Sequence, residues 1–270
     1  MKCDASIQSA ANPRVKDVVR LRRRSHREKT GLTVVEGYPE LTRAEANRHP
    51  VHTVFFCPTL FQGTNEPALI ERCAAAGAEA IECSPAVFAK MSYRDRPDGL
   101  LAVAPPVRHS LGDLALPDAP LLVVAESIEK PGNLGTILRS ADGAGADAVL
   151  VCDRCTDVSN PNVIRASIGT VFALPVVEAD TADTLAWLRA NHVAVVAATP
   201  DAERLYTETD LAGGIALVVG TEQVGLSRPW LAAADRRVRI PMHGQADSLN
   251  VAQAATLLLY EAVRQRAARP

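Results

Sequence analysis

The chain lacks any apolar run long enough to cross a membrane. No segment of its 270 residues approaches the roughly 18 or more apolar residues that a membrane-spanning helix requires. Residues 1–4 also lack the apolar core of a secretory signal peptide. Hydrophobic residues nevertheless make up 47% of the chain, which is ample for buried cores. We therefore expect a folded cytoplasmic protein with no membrane partner.

The chain also lacks the strong positive charge of a protein that binds nucleic acids indiscriminately. Its formal net charge is -2, which still permits a local basic face. Residues 14–29 are rich in Arg and Lys and could supply that face. A solvated helix surface is the alternative explanation of such a run. The candidate contacts to nucleic-acid phosphates are Arg22, Arg23, Arg24 and Arg27.

Neither a disulfide framework nor a metal site is indicated by the cysteines and histidines. The six cysteines are dispersed in a chain large enough to fold without disulfides, so we expect reduced thiols. Cys152 and Cys155 have C-x-x-C spacing, but a structural zinc site normally needs four ligands and no second close pair is present. The histidines show no ligand spacing. We therefore expect no bound metal, and favour a strand end that happens to carry two cysteines.

A change of pattern after residue 104 divides the chain into two α/β domains. Up to that point short apolar segments alternate with helical patterns, whereas the residues to Pro120 carry Pro, Gly and Asp with little periodicity. This predicts a first domain at 1–107, a linker at 108–118 and a second domain at 119–270. The short strands expected in the second domain are continuously apolar, which is typical of a parallel sheet buried on both faces.

Three polar loops of the second domain each follow an apolar segment. They lie at residues 133–141, 220–226 and 241–250. Because ligands bind at the carboxyl ends of the strands in an open α/β sheet, we expect the loops to converge on one site. Neither a G-x-G-x-x-G sequence nor a P-loop follows the first strand, so an ordinary nucleotide-binding fold is not indicated. Helix capping is the alternative role for Asn133 and Ser248, which lie near expected helix starts.

The three loops resemble the motifs of the SpoU (TrmH) family of RNA ribose methyltransferases, which belongs to the SPOUT superfamily. The first motif, N-x-G-x-x-x-R, is matched at residues 133–139, and the second, G-x-E-x-x-G-L, at 220–226. The third, I-P-M with S-L-N, is matched at 240–242 and 248–250. The motifs occur in the order that the family has, and the resemblance covers residues 121–265.

This resemblance implies a fold and its partners. The expected α/β architecture is an N-terminal L30e-like RNA-binding domain followed by a SPOUT domain with a C-terminal trefoil knot. Residues 12–13 and 34–37 resemble the L30e-like domain more weakly than the motifs resemble the second domain. Knots of this kind are rare exceptions to ordinary chain connections. The family also implies S-adenosylmethionine bound among the knotted loops, and a homodimer through the methyltransferase domain in which a site can use residues of its partner.

The activity that the resemblance implies is methylation of a ribose 2′-hydroxyl in structured RNA, with S-adenosylmethionine as donor. The additional N-terminal domain favours 23S ribosomal RNA over transfer RNA. A non-catalytic RNA-binding protein of the same fold is a second alternative, but the occurrence of all three motifs together favours the enzyme. The nucleotide, and the choice between housekeeping modification and antibiotic resistance, stay open.

The resemblance also implies roles for individual residues. Arg139 corresponds to the residue that activates the hydroxyl. Since a guanidinium is effectively always protonated, we favour electrostatic stabilisation of the developing oxyanion over action as a base. For Arg165, a contact with an RNA phosphate or with the active site is weighed against a surface ion pair. The remaining assignments are positioning in catalysis by Asn133, Glu222, Ser248 and Asn250, and donor binding by Thr199, Gly220, Ile240 and Leu249.

Overall fold

A computed structural model describes residues 3–221 and 224–268 of the chain. The chain forms two compact units, one made of the residues up to Val107 with Asp157–Ala173, and the other of Arg108–Thr156 with the residues from Leu174 onward. Residues 157–173, which the sequence analysis assigned to the second domain, thus pack with the first unit. None of the helices in the described ranges is long and apolar enough to cross a membrane.

The first unit is built on a five-stranded mixed sheet. The strand order is β1-β4-β3-β5-β2, in which β1, β4 and β3 are parallel and β5 is antiparallel to β3 and β2. In chain order the elements are β1 (Ala5–Ile7), α1 (Pro13–Arg20), α2 (Arg24–Thr30), β2 (Thr33–Glu36), α3 (Tyr38–Ala46), β3 (Thr53–Phe56), α4 (Glu66–Ala75), β4 (Glu79–Cys83), α5 (Pro85–Met91) and β5 (Leu100–Ala104).

Local sequence explains where the first helices begin and end. Asn12 caps α1 by accepting a hydrogen bond from the backbone N–H of Arg14 at 2.9 Å, and Pro13 fits the first helical turn because it needs no intrahelical donor. Gly31 ends α2 in the left-handed conformation, with φ of 64°. Val15 and Val18 on one face of α1 are buried in the core of the unit.

The second unit is built on a seven-stranded parallel sheet. The strand order is β10-β12-β9-β11-β6-β7-β8, and every neighbouring pair is parallel, which confirms the α/β class and the parallel sheet predicted for this region. In chain order the elements are β6 (Leu121–Glu126), α6 (Pro131–Gly143), β7 (Ala148–Cys152), α7 (Pro161–Ala166, which packs in the first unit), β8 (Val176–Ala179), α8 (Thr181–Ala190), β9 (Ala194–Ala198), β10 (Arg204–Leu205), β11 (Ile215–Val219), α9 (Arg228–Ala233), β12 (Arg236–Arg239) and α10 (Val251–Ala267).

Helices α6 and α10 pack side by side and run parallel. Ser140 Oγ lies 2.7 Å from Thr256 Oγ1, and Tyr260 OH donates to the carbonyl oxygen of Gly143 at 3.4 Å. The later residue of α6 contacts the later residue of α10, so the two helices run in the same direction. Their N-terminal ends therefore lie next to each other. Segment 240–250, which joins β12 to α10, ends at this point.

Segment 157–173 is held in the first unit by polar contacts. Thr33 Oγ1 donates to the carbonyl oxygen of Ser159 at 2.6 Å, and Arg43 Nη1 donates to that of Ile168 at 2.8 Å. Gly169 has φ of 82°, and a Cβ added there would lie 2.8 Å from the Cα atom of Glu40. This close approach of two backbones is the reason that glycine is required at position 169.

Candidate active site

A cavity of about 380 Å³ lies at the carboxyl ends of β9, β11 and β12. This volume falls within the range of about 300–1,000 Å³ that is usual for small-molecule pockets. The loops that follow the three strands form its walls, together with the first turn of α10. Of the residues predicted for the site, the cavity brings together Thr199, Gly220, Ile240, Ser248 and Leu249.

The chemical character of the cavity is apolar and acidic. Its apolar walls include Val219, Leu226 and Met242. The charged residues that line it, within the described part of the chain, are Asp201 and Asp247, and no Lys, Arg or His there contributes to the lining. A cavity with these walls suits a ligand that combines an apolar ring system with positive charge.

Two backbone hydrogen bonds join Thr221 and Gly225 in the loop between β11 and α9. The backbone N–H of Thr221 donates to the carbonyl oxygen of Gly225 at 3.2 Å, and the N–H of Gly225 donates to that of Thr221 at 3.1 Å. A Cβ added at Gly220 would overlap the carbonyl group of Gly225, so only glycine fits there. Glu222, which was predicted to act in catalysis, lies outside the residues that the structure describes.

Asn133 and Asn250 join the starts of α6 and α10. Asn250 caps α10, since its Oδ1 accepts from the N–H of Ala252 at 3.0 Å, and its Nδ2 donates to Asn133 Oδ1 at 3.1 Å. Asn133 itself lies inside α6, whose N-cap is Lys130, so capping does not account for it. The capping alternative also does not apply to Ser248, because it precedes the cap of α10 by two residues.

Arg139 is exposed on α6 and does not line the cavity. Within the described residues, nothing forms a hydrogen bond or an ion pair with its guanidinium. Helical side chains lean toward the N-terminus of their helix, which favours a direction toward the start of α6 for the side chain of Arg139.

Arg27, which was predicted to contact an RNA phosphate, is buried in the first unit. Its side chain is 3% exposed, and Nη2 lies 2.8 Å from Asp157 Oδ2 in an ion pair. Nη1 donates to the carbonyl oxygens of Leu21 and Arg22 at 2.8 and 3.1 Å. The guanidinium therefore fastens the turn before α2 to segment 157–173, because its donors point into the unit and not into solvent.

The other predicted RNA contacts lie on the surface of the first unit. Arg23 and Arg24 are exposed, and Arg24 forms an ion pair with Glu28 at 2.9 Å. Arg22 is more constrained, since Nη2 donates to the carbonyl oxygen of Ser92 at 2.6 Å and its guanidinium carbon lies 5.2 Å from a tyrosine ring centroid. Arg165 is exposed on α7, in the same unit. Arg23, Arg24 and Arg165 thus lie on the surface of this unit, where an RNA phosphate can approach them.

The C-x-x-C pair consists of two cysteines in different surroundings. Cys152 is buried at the end of β7, where burial raises the pKa of its thiol to about 12, and Cys155 is exposed. Within the ranges that the structure describes, no group of three or more His, Cys, Asp or Glu side chains is arranged to hold a metal ion.

Three acidic residues of the site do not belong to the sequence motifs. Asp201 and Asp247 line the cavity, and Glu126 is buried at the end of β6. Glu126 could have been identified from the sequence, because it is a charged residue directly after a continuously apolar run. For the two aspartates the sequence offered only their position beyond a strand.

The chain is similar to known proteins over nearly its whole length. Residues 120–260 match the SpoU rRNA Methylase family, and residues 12–102 match the MRM3-like substrate binding domain. The 23S rRNA (guanosine(2553)-2′-O)-methyltransferase RlmP of Bacillus subtilis is 30% identical, over 94% of this chain and 97% of the relative. The 23S rRNA (uridine(2479)-2′-O)-methyltransferase of Streptomyces viridochromogenes is 31% identical, over 90% and 86%.

Solved structures show the same likeness. The AdoMet-bound rRNA methyltransferase from Sinorhizobium meliloti superposes with a TM-score of 0.88 at 31% sequence identity. The match covers 96% of this chain and 97% of that one.

Proposed function

Because this chain belongs to the SpoU rRNA methylase family, we propose that it transfers the methyl group of S-adenosylmethionine to a ribose 2′-hydroxyl of 23S ribosomal RNA. The observation that carries this proposal is the cavity in which Thr199, Gly220, Ile240 and Leu249 meet. The family and the enzyme class predicted from the three motifs are confirmed. Ribosomal RNA is favoured over transfer RNA because full-length relatives are named for 23S rRNA.

The cavity has the properties that S-adenosylmethionine requires. Its apolar walls accept the adenine ring and the methyl group, and Asp201 and Asp247 supply negative charge for a donor that carries a sulfonium and an ammonium group. Gly220, Ile240 and Leu249 line the cavity, and we assign the hydrogen bonds to the donor to their backbone groups. When bound there, the donor supplies an electrophilic methyl carbon. The protein therefore has to align the 2′-oxygen and stabilise its developing charge.

Arg139 is the residue that stabilises the 2′-oxygen in this proposal. Its guanidinium stays protonated, so it acts as a fixed positive charge and multiple hydrogen-bond donor, while an RNA phosphate or water accepts the proton. The hydrogen bond between Asn133 and Asn250 fixes the start of α6 against the start of α10. This contact sets Arg139 on α6 relative to Ser248 in the loop before α10. Glu222 completes the proposed set of positioning residues.

The C-terminal part of the second unit forms the trefoil knot in our proposal. β12 pairs with β9 and β10, whereas α10 packs against α6 and β11 on the far side of β9. Segment 240–250 therefore has to cross the carboxyl ends of the strands, beside the loops that line the cavity. A chain that crosses in this way is what a knotted donor site requires.

A homodimer through the second unit is supported by the outer face of α10. Leu257 and Tyr260 are 41% and 51% exposed, and Tyr260 reaches the neighbouring helix α6. Large apolar side chains of this kind suit burial against a second copy of the chain.

The first unit is the L30e-like domain that binds the RNA in this proposal. Its similarity to a substrate binding domain over residues 12–102 supports that role. A ribosomal RNA substrate supports a cytoplasmic location for the protein.

Methyl transfer to ribose can be tested with a radiolabelled donor. Ribosomal RNA from cells without the protein is incubated with the enzyme, and transfer RNA serves as the parallel substrate. A 2′-O-methyl group blocks alkaline cleavage at its own nucleotide, because the 2′-oxygen is the attacking group in that cleavage. We expect the label in 23S RNA and in alkali-resistant dinucleotides.

Two results would contradict the proposal. Label in mononucleotides would mean that a base, and not ribose, is methylated. Donor binding without transfer to any RNA would favour the non-catalytic alternative.

A further inference from the structure

A buried carboxylate lies at the carboxyl end of β6, an interior strand of the seven-stranded sheet. Glu126, the last residue of that strand, is 3% exposed. Its Oε2 accepts a hydrogen bond from the backbone N–H of Ser227 at 2.9 Å. Within the described residues no cation forms an ion pair with it. A buried carboxylate is unfavourable without hydrogen-bond donors, so the contact with Ser227 is a strong constraint on both residues.

Ser227 is the far end of the loop that follows β11. That loop contributes Gly220, Thr221, Gly225 and Leu226 to the cavity, and Leu226 is 7% exposed. The hydrogen bond to Glu126 therefore holds Ser227, the residue that directly follows the cavity-lining Leu226.

Both ends of this loop are fixed to β6. At the near end, Val219 of β11 pairs with Ala125 of β6, one residue before Glu126. At the far end, the N–H of Ser227 is held by Glu126 itself. The two attachments and the backbone hydrogen bonds between Thr221 and Gly225 fix the described parts of the loop, residues 220–221 and 225–227.

We propose that Glu126 is a positioning residue for methyl transfer, which shapes the donor cavity by accepting the N–H of Ser227. This inference rests on the proposed function, because it takes the cavity to be the donor site. Glu126 does not line the cavity, so it acts through the loop and not by touching the donor.

The test compares two replacements of the carboxylate in the full-length protein. Glu126→Gln keeps an oxygen acceptor at the same reach, whereas Glu126→Leu removes it at similar volume. Loss of a hydrogen bond to a charged group corresponds to a change of about tenfold to a hundredfold. We expect Glu126→Leu to weaken S-adenosylmethionine binding by about that factor in calorimetry, and Glu126→Gln to stay within about threefold of the wild type.

Removal of the backbone N–H of Ser227 tests the same hydrogen bond from its other side. Ser227 has φ of -67°, which proline can adopt, so Ser227→Pro removes the N–H without forcing a new backbone conformation. We expect it to weaken donor binding as well. The effects of Glu126→Leu and Ser227→Pro should not add in the double variant, because both remove one interaction. The KM for RNA should stay unchanged while the KM for the donor rises.

Hydrogen exchange separates this inference from the proposed function. Backbone amides of residues 220–227 should exchange faster in Glu126→Leu than in the wild type and Glu126→Gln. If the wild type binds no donor, the proposed function fails, and the exchange rates still test the bond. Donor binding and exchange in Glu126→Leu that match the wild type would overturn the inference. Equal weakening by Gln and Leu would overturn it too, since the Gln oxygen should replace the acceptor.

Discussion

Replacement of Arg27 by alanine should destabilise the first unit without weakening contacts to RNA. The guanidinium donates to Asp157 and to the backbone carbonyl groups of Leu21 and Arg22, at distances between 2.8 and 3.1 Å. The side chains of Arg27 and Asp157 are 3% and 7% exposed. Alanine would therefore leave a buried carboxylate without its cation.

The expected loss of unfolding free energy follows from the burial of this ion pair. Removal of one partner of a buried ion pair costs about 3–5 kcal/mol of unfolding free energy. Asp157 keeps one donor, because Ser159 Oγ lies 2.6 Å from its Oδ1, which favours the lower end of about 3 kcal/mol. With a urea m value of about 2 kcal/mol/M, the midpoint should fall by about 1.5 M.

The assay is urea unfolding followed by far-ultraviolet circular dichroism and by tryptophan fluorescence. Trp187 and Trp230 both lie in the second unit, so the shift should be larger by circular dichroism, which reports both units. The matched control is Arg24→Ala, which breaks an exposed ion pair with Glu28 and should cost about 0.2–1 kcal/mol. Arg27→Met with Asp157→Asn should restore most of the stability, since neither charge is then buried.

A small effect of Arg27→Ala would refute this reasoning. A loss below about 1 kcal/mol, together with weaker RNA binding and a smaller salt dependence, would show that Arg27 contacts phosphate after all.

Three further predictions concern the site, the RNA surface and the thiols. Arg139→Ala should bind the donor normally but lose about a hundredfold to a thousandfold in single-turnover methyl transfer, and Arg139→Lys should recover little; near-normal transfer by the alanine variant would exclude this residue from the mechanism. Replacing Arg23 and Arg24 by alanine should weaken RNA binding and reduce its salt slope by roughly 0.7–0.9 per lost phosphate contact, with unchanged donor affinity; an unchanged slope would restore the solvated-face explanation. At pH 8 a thiol reagent should label the exposed Cys3 and Cys155 and leave the buried cysteines unmodified. Burial raises the pKa of Cys73 to about 11 and the pKa of Cys83 and Cys152 to about 12, so these thiols stay protonated. Fast labelling of a third cysteine in the native protein would contradict this prediction.

The sequence by itself determined the class of the second unit and five of the residues that line its cavity. β7, β11 and β6 as far as Ala125 are continuously apolar, and the structure buries every residue of each in a parallel sheet. A continuously apolar strand fits few positions in a fold other than the interior of such a sheet, because both of its faces need apolar neighbours. The polar loops after β11 and β12 then meet at one edge because parallel strands end on the same side.

Only the tertiary structure decided which charged residues are structural. The spacing of Arg22, Arg23, Arg24 and Arg27 gives one basic run, but Arg27 alone is buried, through a partner 130 positions away. Glu126 likewise acquires its role from Ser227, 101 positions later. Periodicity reports which side of an element is buried and carries no information on which distant atoms meet there.

The shortest elements were also decided by tertiary pairing. β1 and β10 contain three and two residues, too few to show an alternating pattern. They exist as strands because β4 and β12 supply their hydrogen-bond partners. The same holds for segment 157–173, whose place in the first unit follows from contacts with Thr33, Arg43 and Glu40. Local sequence sets the conformation of such a segment, and the surface that buries it is set by residues far along the chain.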